Sequence, residues 1–447
     1  MRRTESLTLT VHPGIALVGS YHPHGDKSLS HRAALLAALA EGESQIENFL
    51  TAGVTKALLG ALSALEVAWK LDGERLRVHG AGFDGLQPPR AAIDCGNSAT
   101  TMRLLAGALA ASGTPATLDG SEGLRRRPMK RIVEPLRLMG VDIQAEDGHA
   151  PLRMATSPRP LKSLDYALPV ASAQVKSCLL LAGLAGDGVT TLFEPGPSRD
   201  HTERMLRNLG CQVSSEQLET VTGRQYCTRL EPLRPLKLPP LRIKLPGDPS
   251  AAAFLLVAAS ITPGSDVTIR DVCLNPTRTG LLEALQAMGA DITVLEKDMW
   301  GGEPVGDVHV RHSELHGCRV AGELVVRMID EFPAFAVAAA YAHGETRVEG
   351  AEELRHKESD RIGALCMELQ ALGAQAYETV DGFIVVGRRS LEGGRVKAHG
   401  DHRLAMALAV AGLAAHKPVR VEGAEVVAES FPDFVQVLQT LGAQVSL

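Results

Sequence analysis

At 447 residues the chain is longer than one hydrophobic core usually supports, and 45% apolar with 22% charged residues is the composition of a globular protein of two domains. A net charge of −6 gives no general attraction to nucleic acid or to an anionic membrane, so any anion site must be local. Seven scattered cysteines without a CxxC pair argue against disulfides and a zinc site, and an N-terminus without an apolar run predicts a protein of the reducing cytoplasm.

In chain order, one short pattern returns six times: LSALEV (62–67), LRLMGV (136–141), LRNLGC (206–211), LQAMGA (285–290), LQALGA (369–374) and LQTLGA (438–443). Each reads as the last turn of an amphipathic helix followed by a short strand. In five copies Gly occupies the left-handed stop position, and the first copy carries Glu66 there. Interleaved with them run six Ala/Leu-rich segments, HRAALLAALA, TTMRLLAGALA, AQVKSCLLLAG, SAAAFLLVAAS, FPAFAVAAAY and DHRLAMALAVAG, apolar on nearly every face and therefore expected to be buried helices. Six units in two groups of three predict an α/β fold of two similar domains. Each domain would hold three repeated βαβαββ-like units with buried helices inside and sheets outside, an inside-out α/β barrel. Prolines in KLPPLRIKLPGD (237–248) and a break at YHPHGD (21–26) set the expected boundaries: 25–243 for the first domain, 1–24 plus 244–447 for the second.

The charged residues concentrate where the six buried helices begin: Lys27, Ser28 and Arg32; Asn97, Thr100 and Arg103; Ser172, Gln174 and Lys176; Asp248 and Ser250; Asp330 and Glu331; Asp401, His402 and Arg403. Helix N-termini expose unpaired N–H groups and a partial positive charge, which favour phosphate and carboxylate. A cation there opposes the helix dipole, so Arg32, Arg103 and Arg403 are expected to face a bound anion, while Asp248 and Ser250 read as ordinary caps. Two basic runs, LRRRPMKR (124–131) and RHKESDR (355–361), add to this inventory. HExxH, a Walker P-loop and GxGxxG after a strand are all missing from the sequence. Many cations with two or three carboxylates fit acid/base chemistry on substrates bearing several negative charges, without metal or cofactor.

The segments GDKSLSHR, GNSATTMR, RRPMKR, ASAQVKS, SRDHTER, MIDEFP, RHKESDR and GDHR, in this order from residue 25 to 403, with SFPDF at 430–434, resemble the signature segments of the EPSP synthase family of enolpyruvyl transferases. The resemblance implies transfer of the enolpyruvyl group of phosphoenolpyruvate to the 5-hydroxyl of shikimate 3-phosphate, a step toward chorismate and the aromatic amino acids, in a cleft between the domains of a monomer. It implies that Lys27, Ser28, Arg32, Ser172, Ala173, Gln174, Arg199, Asp330 and Lys357 hold shikimate 3-phosphate. It further implies that Lys27, Asn97, Ala99, Thr100, Arg127, Gln174, Arg361 and Arg403 hold phosphoenolpyruvate. By the same resemblance Asp330 accepts the hydroxyl proton, Glu358 delivers and later removes the carbon-bound proton, and Lys27 stabilises developing charge. Lys357, next in sequence to Glu358, is expected to favour the ionised carboxylate.

Three positions depart from the family pattern. AGVTK (52–56) lacks the frequent acidic pair, Glu429 stands where a basic residue is common, and Ala99 replaces the usual Gly. Ala99 predicts tolerance to glyphosate, which in this family occupies the phosphoenolpyruvate site and is longer than the substrate. A sister transferase acting on a UDP-sugar is disfavoured by Lys27-Ser28 in place of Lys-Asn and by the lack of a cysteine near RRRP. A non-catalytic phospho-ligand binder is disfavoured by the presence of both Asp330 and Glu358.

Overall fold

A computed structural model describes residues 7–220 and 223–447. The chain divides into two compact units, one of residues 24–246 with 299–303, the other of 7–23, 247–298 and 304–447. Each is a mixed α/β body containing, among the described residues, three four-stranded sheets of one plan. A short edge strand runs parallel to its neighbour, and the other pairings whose register is resolved are antiparallel.

That plan draws strands from distant parts of the chain. In the 24–246 unit, Arg242–Lys244 supplies the parallel edge beside Glu41–Glu47, with Ile243 opposite Ile46. In the other unit, Thr8–His12 lies antiparallel between Val419–Glu422 and Gln444–Ser446, and Val18–Tyr21 lies parallel to Asp266–Cys273. Alternating burial along such strands, as in Arg75–Ala81, places one face on the core and leaves the other in water.

The six apolar segments are buried helices: Lys27–Leu39, Ala99–Ser112 and Ala173–Gly183 in one unit, Pro249–Ile261, Phe332–Tyr341 and His402–Gly412 in the other. Every residue of Phe332–Tyr341 and of His402–Gly412 is buried. Each fully buried leucine in these helices contributes about 1.5–3 kcal/mol relative to exposure, so burial rather than helix propensity holds them in place. Close packing also dictates sequence, since a Cβ at Gly107 would stand 2.2 Å from the Cys178 carbonyl oxygen of the neighbouring helix. The amphipathic helices end as the repeat predicts, with Gly140, Gly210, Gly289, Gly373 and Gly442 at positive φ. Glu66 adopts φ 60° at the equivalent place, a strained conformation the turn imposes on a side chain that lacks glycine's freedom.

Capping residues then fix where the buried helices start. Asp26, Ser98 and Ser172 accept backbone N–H groups in one unit, and Asp248 and Asp401 do so in the other. Phe332–Tyr341 lacks a side-chain cap and begins instead with Pro333 in its first turn, whose missing N–H costs nothing there.

Candidate active site

In the 24–246 unit three side-chain bridges join the first turns of the buried helices. Gly25 sets the entry to the first: a Cβ there would lie 1.8 Å from the Asn48 carbonyl oxygen, so only glycine lets the chain pass and present Lys27. Arg32 spans to the third helix by donating from Nη2 to Ser177 Oγ at 2.7 Å, while Nε donates to Thr202 Oγ1 at 2.8 Å and Nη1 to the Ser28 carbonyl at 3.0 Å. Arg103 spans the second and third helices, donating to Gln174 Oε1 at 2.5 Å and to the Pro128 carbonyl at 2.8 Å, and Gln174 Nε2 donates to Thr100 Oγ1 at 2.8 Å. His31 spans the first and second, with Nε2 3.2 Å from Thr101 Oγ1 and 3.3 Å from Ser98 Oγ.

Protein oxygens already hold Arg32 and Arg103 at these helix starts. Each guanidinium donates to neutral oxygens of the protein, so the dipole penalty is offset by hydrogen bonds and the positive charge is retained. Burial pushes Arg32 down to about 10 against the carboxylates of Glu203 and Asp26, which leaves it protonated at neutral pH. Lys176 is the cation most changed by the structure: Nζ lies 2.5 Å from Glu194, 2.8 Å from Glu203 and 3.3 Å from the Ser198 carbonyl, all buried. Burial pushes its ammonium down, but the two carboxylates outweigh it and hold the group charged. It braces the turn before Arg199, whose Nη1 donates to Ser28 Oγ at 3.4 Å.

Other members of the inventory fall into place around these bridges. Ser172 caps the helix that opens with Ala173. Asn97 accepts from Ser121 Oγ at 3.0 Å, and Ala99 is the buried first residue of its helix. Within LRRRPMKR, Arg125, Arg126 and Lys130 pair with Asp119, Glu122 and Glu134 on the exposed face, whereas Arg127 is half-buried. The run therefore mixes solvated cations with the half-buried Arg127 and Arg131, over the buried Leu124 and Met129.

In the other unit the corresponding helix starts are joined through carboxylates. Asp330 has three cations near it, with Lys357 Nζ at 3.6 Å, Arg361 Nη1 at 3.6 Å and Arg403 Nη2 at 3.8 Å. Arg361 is 1% exposed. Its Nη2 donates to Glu358 at 2.6 Å, its Nε donates to Asp401 at 2.7 Å, and its Nη1 has no hydrogen-bond partner. Burial would discharge such a guanidinium, but Asp401, Glu358 and Asp330 outweigh it and keep it protonated. Asp401 in turn is held below the usual carboxylate range because Arg361 outweighs the cost of burying it.

Lys357 Nζ reaches Asp330, and Arg361 is a cation on Glu358, so the ionised carboxylate has a buried guanidinium beside it. Glu358 lies in the bend just before the helix Arg361–Ala371, which lets its carboxylate fold back onto the first side chain of that helix. Arg403 donates from Nη1 to the Asp330 carbonyl at 3.0 Å. Asp248 is the cap the sequence suggests, accepting from the Ser250 N–H at 2.7 Å. Ser250 is not one; its hydroxyl donates to Glu331 and accepts from Arg278 Nη2 at 2.8 Å.

Sequence reasoning missed the supporting residues Ser177, Thr202, Glu203, Arg278 and His31. Four of them lie inside or beside the quoted motifs, yet nothing local distinguishes a hydroxyl or carboxylate that will be buried against an arginine from one that caps a helix. Arg278, in NPTRTG, gave no pattern at all. Among the described residues, no cluster of three or more His, Cys, Asp or Glu is arranged to hold a metal ion, and no helix is long and apolar enough to cross a membrane.

Comparison with known proteins bears directly on these clusters. The family model described as EPSP synthase (3-phosphoshikimate 1-carboxyvinyltransferase) matches residues 11–438. The chain is 48% identical over 446 residues to the 3-phosphoshikimate 1-carboxyvinyltransferase of Methylococcus capsulatus, covering 99% of both chains. It is 50% identical over 441 residues to that of Halorhodospira halophila, covering 98% of this chain and 96% of the relative. A solved structure of EPSP synthase from Acinetobacter baumannii superposes with a TM-score of 0.84 at 42% identity, covering 98% of this chain and 100% of that one. With both site clusters falling inside the matched span, the chain belongs to the EPSP synthase family, the 3-phosphoshikimate 1-carboxyvinyltransferases.

Proposed function

We propose that the two clusters act on one pair of substrates, phosphoenolpyruvate and shikimate 3-phosphate, in the reaction of the family to which the chain belongs. The observation that carries this reading is Asp330 and Glu358 beside one buried guanidinium, Arg361, whose Nη1 has no hydrogen-bond partner. Two carboxylates at one cation are suited to moving protons, and a donor without a hydrogen-bond partner is suited to an anion.

In this reading Glu358 protonates the methylene carbon of phosphoenolpyruvate while Asp330 takes the proton of the 5-hydroxyl, whose oxygen bonds to the cationic carbon. Phosphate then leaves the tetrahedral intermediate, and Glu358 removes a proton from the new methyl group to regenerate the double bond. Lys27, Arg127, Arg361 and Arg403, with Gln174 and the Asn97–Ala99–Thr100 turn, bind phosphoenolpyruvate. Lys27, Ser28, Arg32, Ser172, Ala173, Gln174, Arg199, Asp330 and Lys357 bind shikimate 3-phosphate. Charge-assisted bonds of about 1.5–3 kcal/mol each make three guanidinium groups sufficient to hold a small trianion.

The wider expectations belong to the same proposal: three repeats per domain with helices inside and sheets outside, a site shared by both domains, a monomer working in the cytoplasm without cofactor, and glyphosate tolerance arising from Ala99. A phosphate-release assay tests the core of it. Release that requires both substrates supports the reading, and release with either one alone, or none with both, overturns it.

A further inference from the structure

One imidazole joins the first turn of a buried helix to the cap of the next. His31 is 1% exposed, and its Nδ1 lies 2.7 Å from the Lys27 carbonyl oxygen. A carbonyl can only accept, so Nδ1 carries the proton and Nε2 offers a lone pair in the neutral ring. The Ser98 hydroxyl accepts from the Thr101 N–H at 3.1 Å and from the Thr101 hydroxyl at 2.8 Å, which leaves its own proton for His31 Nε2 at 3.3 Å. The ring thus links the Ser98–Thr101 hydroxyl pair to Lys27. Burial, aided by the charges of Lys27 and Arg32 and opposed by the bonds to the Lys27 and Val54 backbone, pushes the imidazole down to about 4, so the ring stays neutral under physiological conditions.

A buried histidine bridging two helices is often no more than a satisfied core residue. Here both ends of the bridge lie on segments to which the proposed function assigns a ligand: Lys27 at one end, the Asn97–Thr100 turn at the other. We propose that His31 is a positioning residue, which by donating to the Lys27 backbone and accepting from Ser98 sets the ammonium of Lys27 in register with the turn that opens the Ala99–Ser112 helix. This rests on the reading of the site given above.

The test is steady-state kinetics of phosphate release for the wild type, His31→Leu and His31→Asn, with melting temperatures and the fraction of active enzyme measured alongside. Leucine keeps bulk and removes both bonds. Asparagine can reproduce the donor to Lys27 but is too short to reach Ser98. Loss of the link is expected to raise KM for phosphoenolpyruvate about tenfold in His31→Leu and by a smaller factor in His31→Asn, with KM for shikimate 3-phosphate changed less than either. A lower melting temperature or active fraction with wild-type KM for phosphoenolpyruvate would mark His31 as a structural core residue and overturn the proposal. Should His31→Leu fail to fold, the same comparison is decided on His31→Asn. A wild type that releases no phosphate from the two substrates would instead overturn the reading of the site, and this inference with it.

Discussion

The helix starts of the 24–246 unit and those of the 247–447 region are built on the same buried-helix plan but are tied together by different acceptors. In the first, Arg32, Arg103 and His31 are bridged to Ser177, Thr202, Gln174 and Ser98, all neutral. In the second, Arg361, Arg403 and Arg278 are bridged to Asp401, Glu358, Asp330 and Glu331. Hydroxyls and amides orient a guanidinium without pairing its charge directly, even where carboxylates such as Glu203 and Asp26 act on Arg32 from nearby, whereas direct carboxylate partners compensate it and are themselves held ionised. The first arrangement suits gripping an anion, and the second sets carboxylates suited to moving protons beside cations of its own, although the scaffold beneath them is alike. The buried Lys176–Glu194–Glu203 group shows that charge in the first unit is compensated where it serves only to brace a turn.

The largest effect expected from this contrast concerns the carboxylates. Asp330→Asn or Glu358→Gln is expected to lower kcat by about 10²–10⁴-fold with a much smaller change in either KM, measured by phosphate release. A variant that binds poorly but turns over normally when saturated would erase the division of labour between the units.

Next in size is Lys176→Met, which leaves Glu194 and Glu203 buried without their cation. Chemical denaturation is expected to show a loss of about 3–5 kcal/mol, the usual cost of breaking a buried ion pair from one side. A loss under about 1 kcal/mol would mean that water or protonation relieves the carboxylates and that the brace is not structural.

Glyphosate sharpens the picture of the anion-gripping side. Ala99 is buried at the start of its helix, and an extra methyl in a fitted pocket costs about 1–3 kcal/mol, so Ala99→Gly is expected to tighten inhibition about tenfold or more. If inhibition of the glycine variant equals that of the parent, Ala99 does not set the affinity for glyphosate.

The smallest effect is on acid stability and separates the two regions by pH. His31 titrates near 6.5 when unfolded and at about 4 when folded, so between these values the unfolded chain binds more protons. Its contribution is complete above pH 6.5 and is lost as pH falls toward 4, by about 2 kcal/mol between pH 7 and pH 5. Asp401, held below the usual carboxylate range, loses its contribution only at still lower pH, beginning near its unfolded value of 3.8. Denaturation of wild type and His31→Asn at pH 7 and pH 5 checks this, the variant being expected to show the shallower slope.

What the sequence determined by itself is local. The helix endings with Gly140, Gly210, Gly289, Gly373 and Gly442, the six apolar helices and the cap Asp248 could all be read, because each depends on residues within a turn or two of one another. The motifs likewise identified the family before any contact was known. Tertiary structure decided what each charge faces. Arg32 meets Thr202 across 170 positions, Lys357 reaches Asp330, and Thr8–His12 completes a sheet with the last strand of the chain. A guanidinium, an ammonium or an edge strand can be satisfied by many partners of the right chemistry. Only the packing of buried helices, which excludes water and brings distant first turns within hydrogen-bond reach, selects one of them.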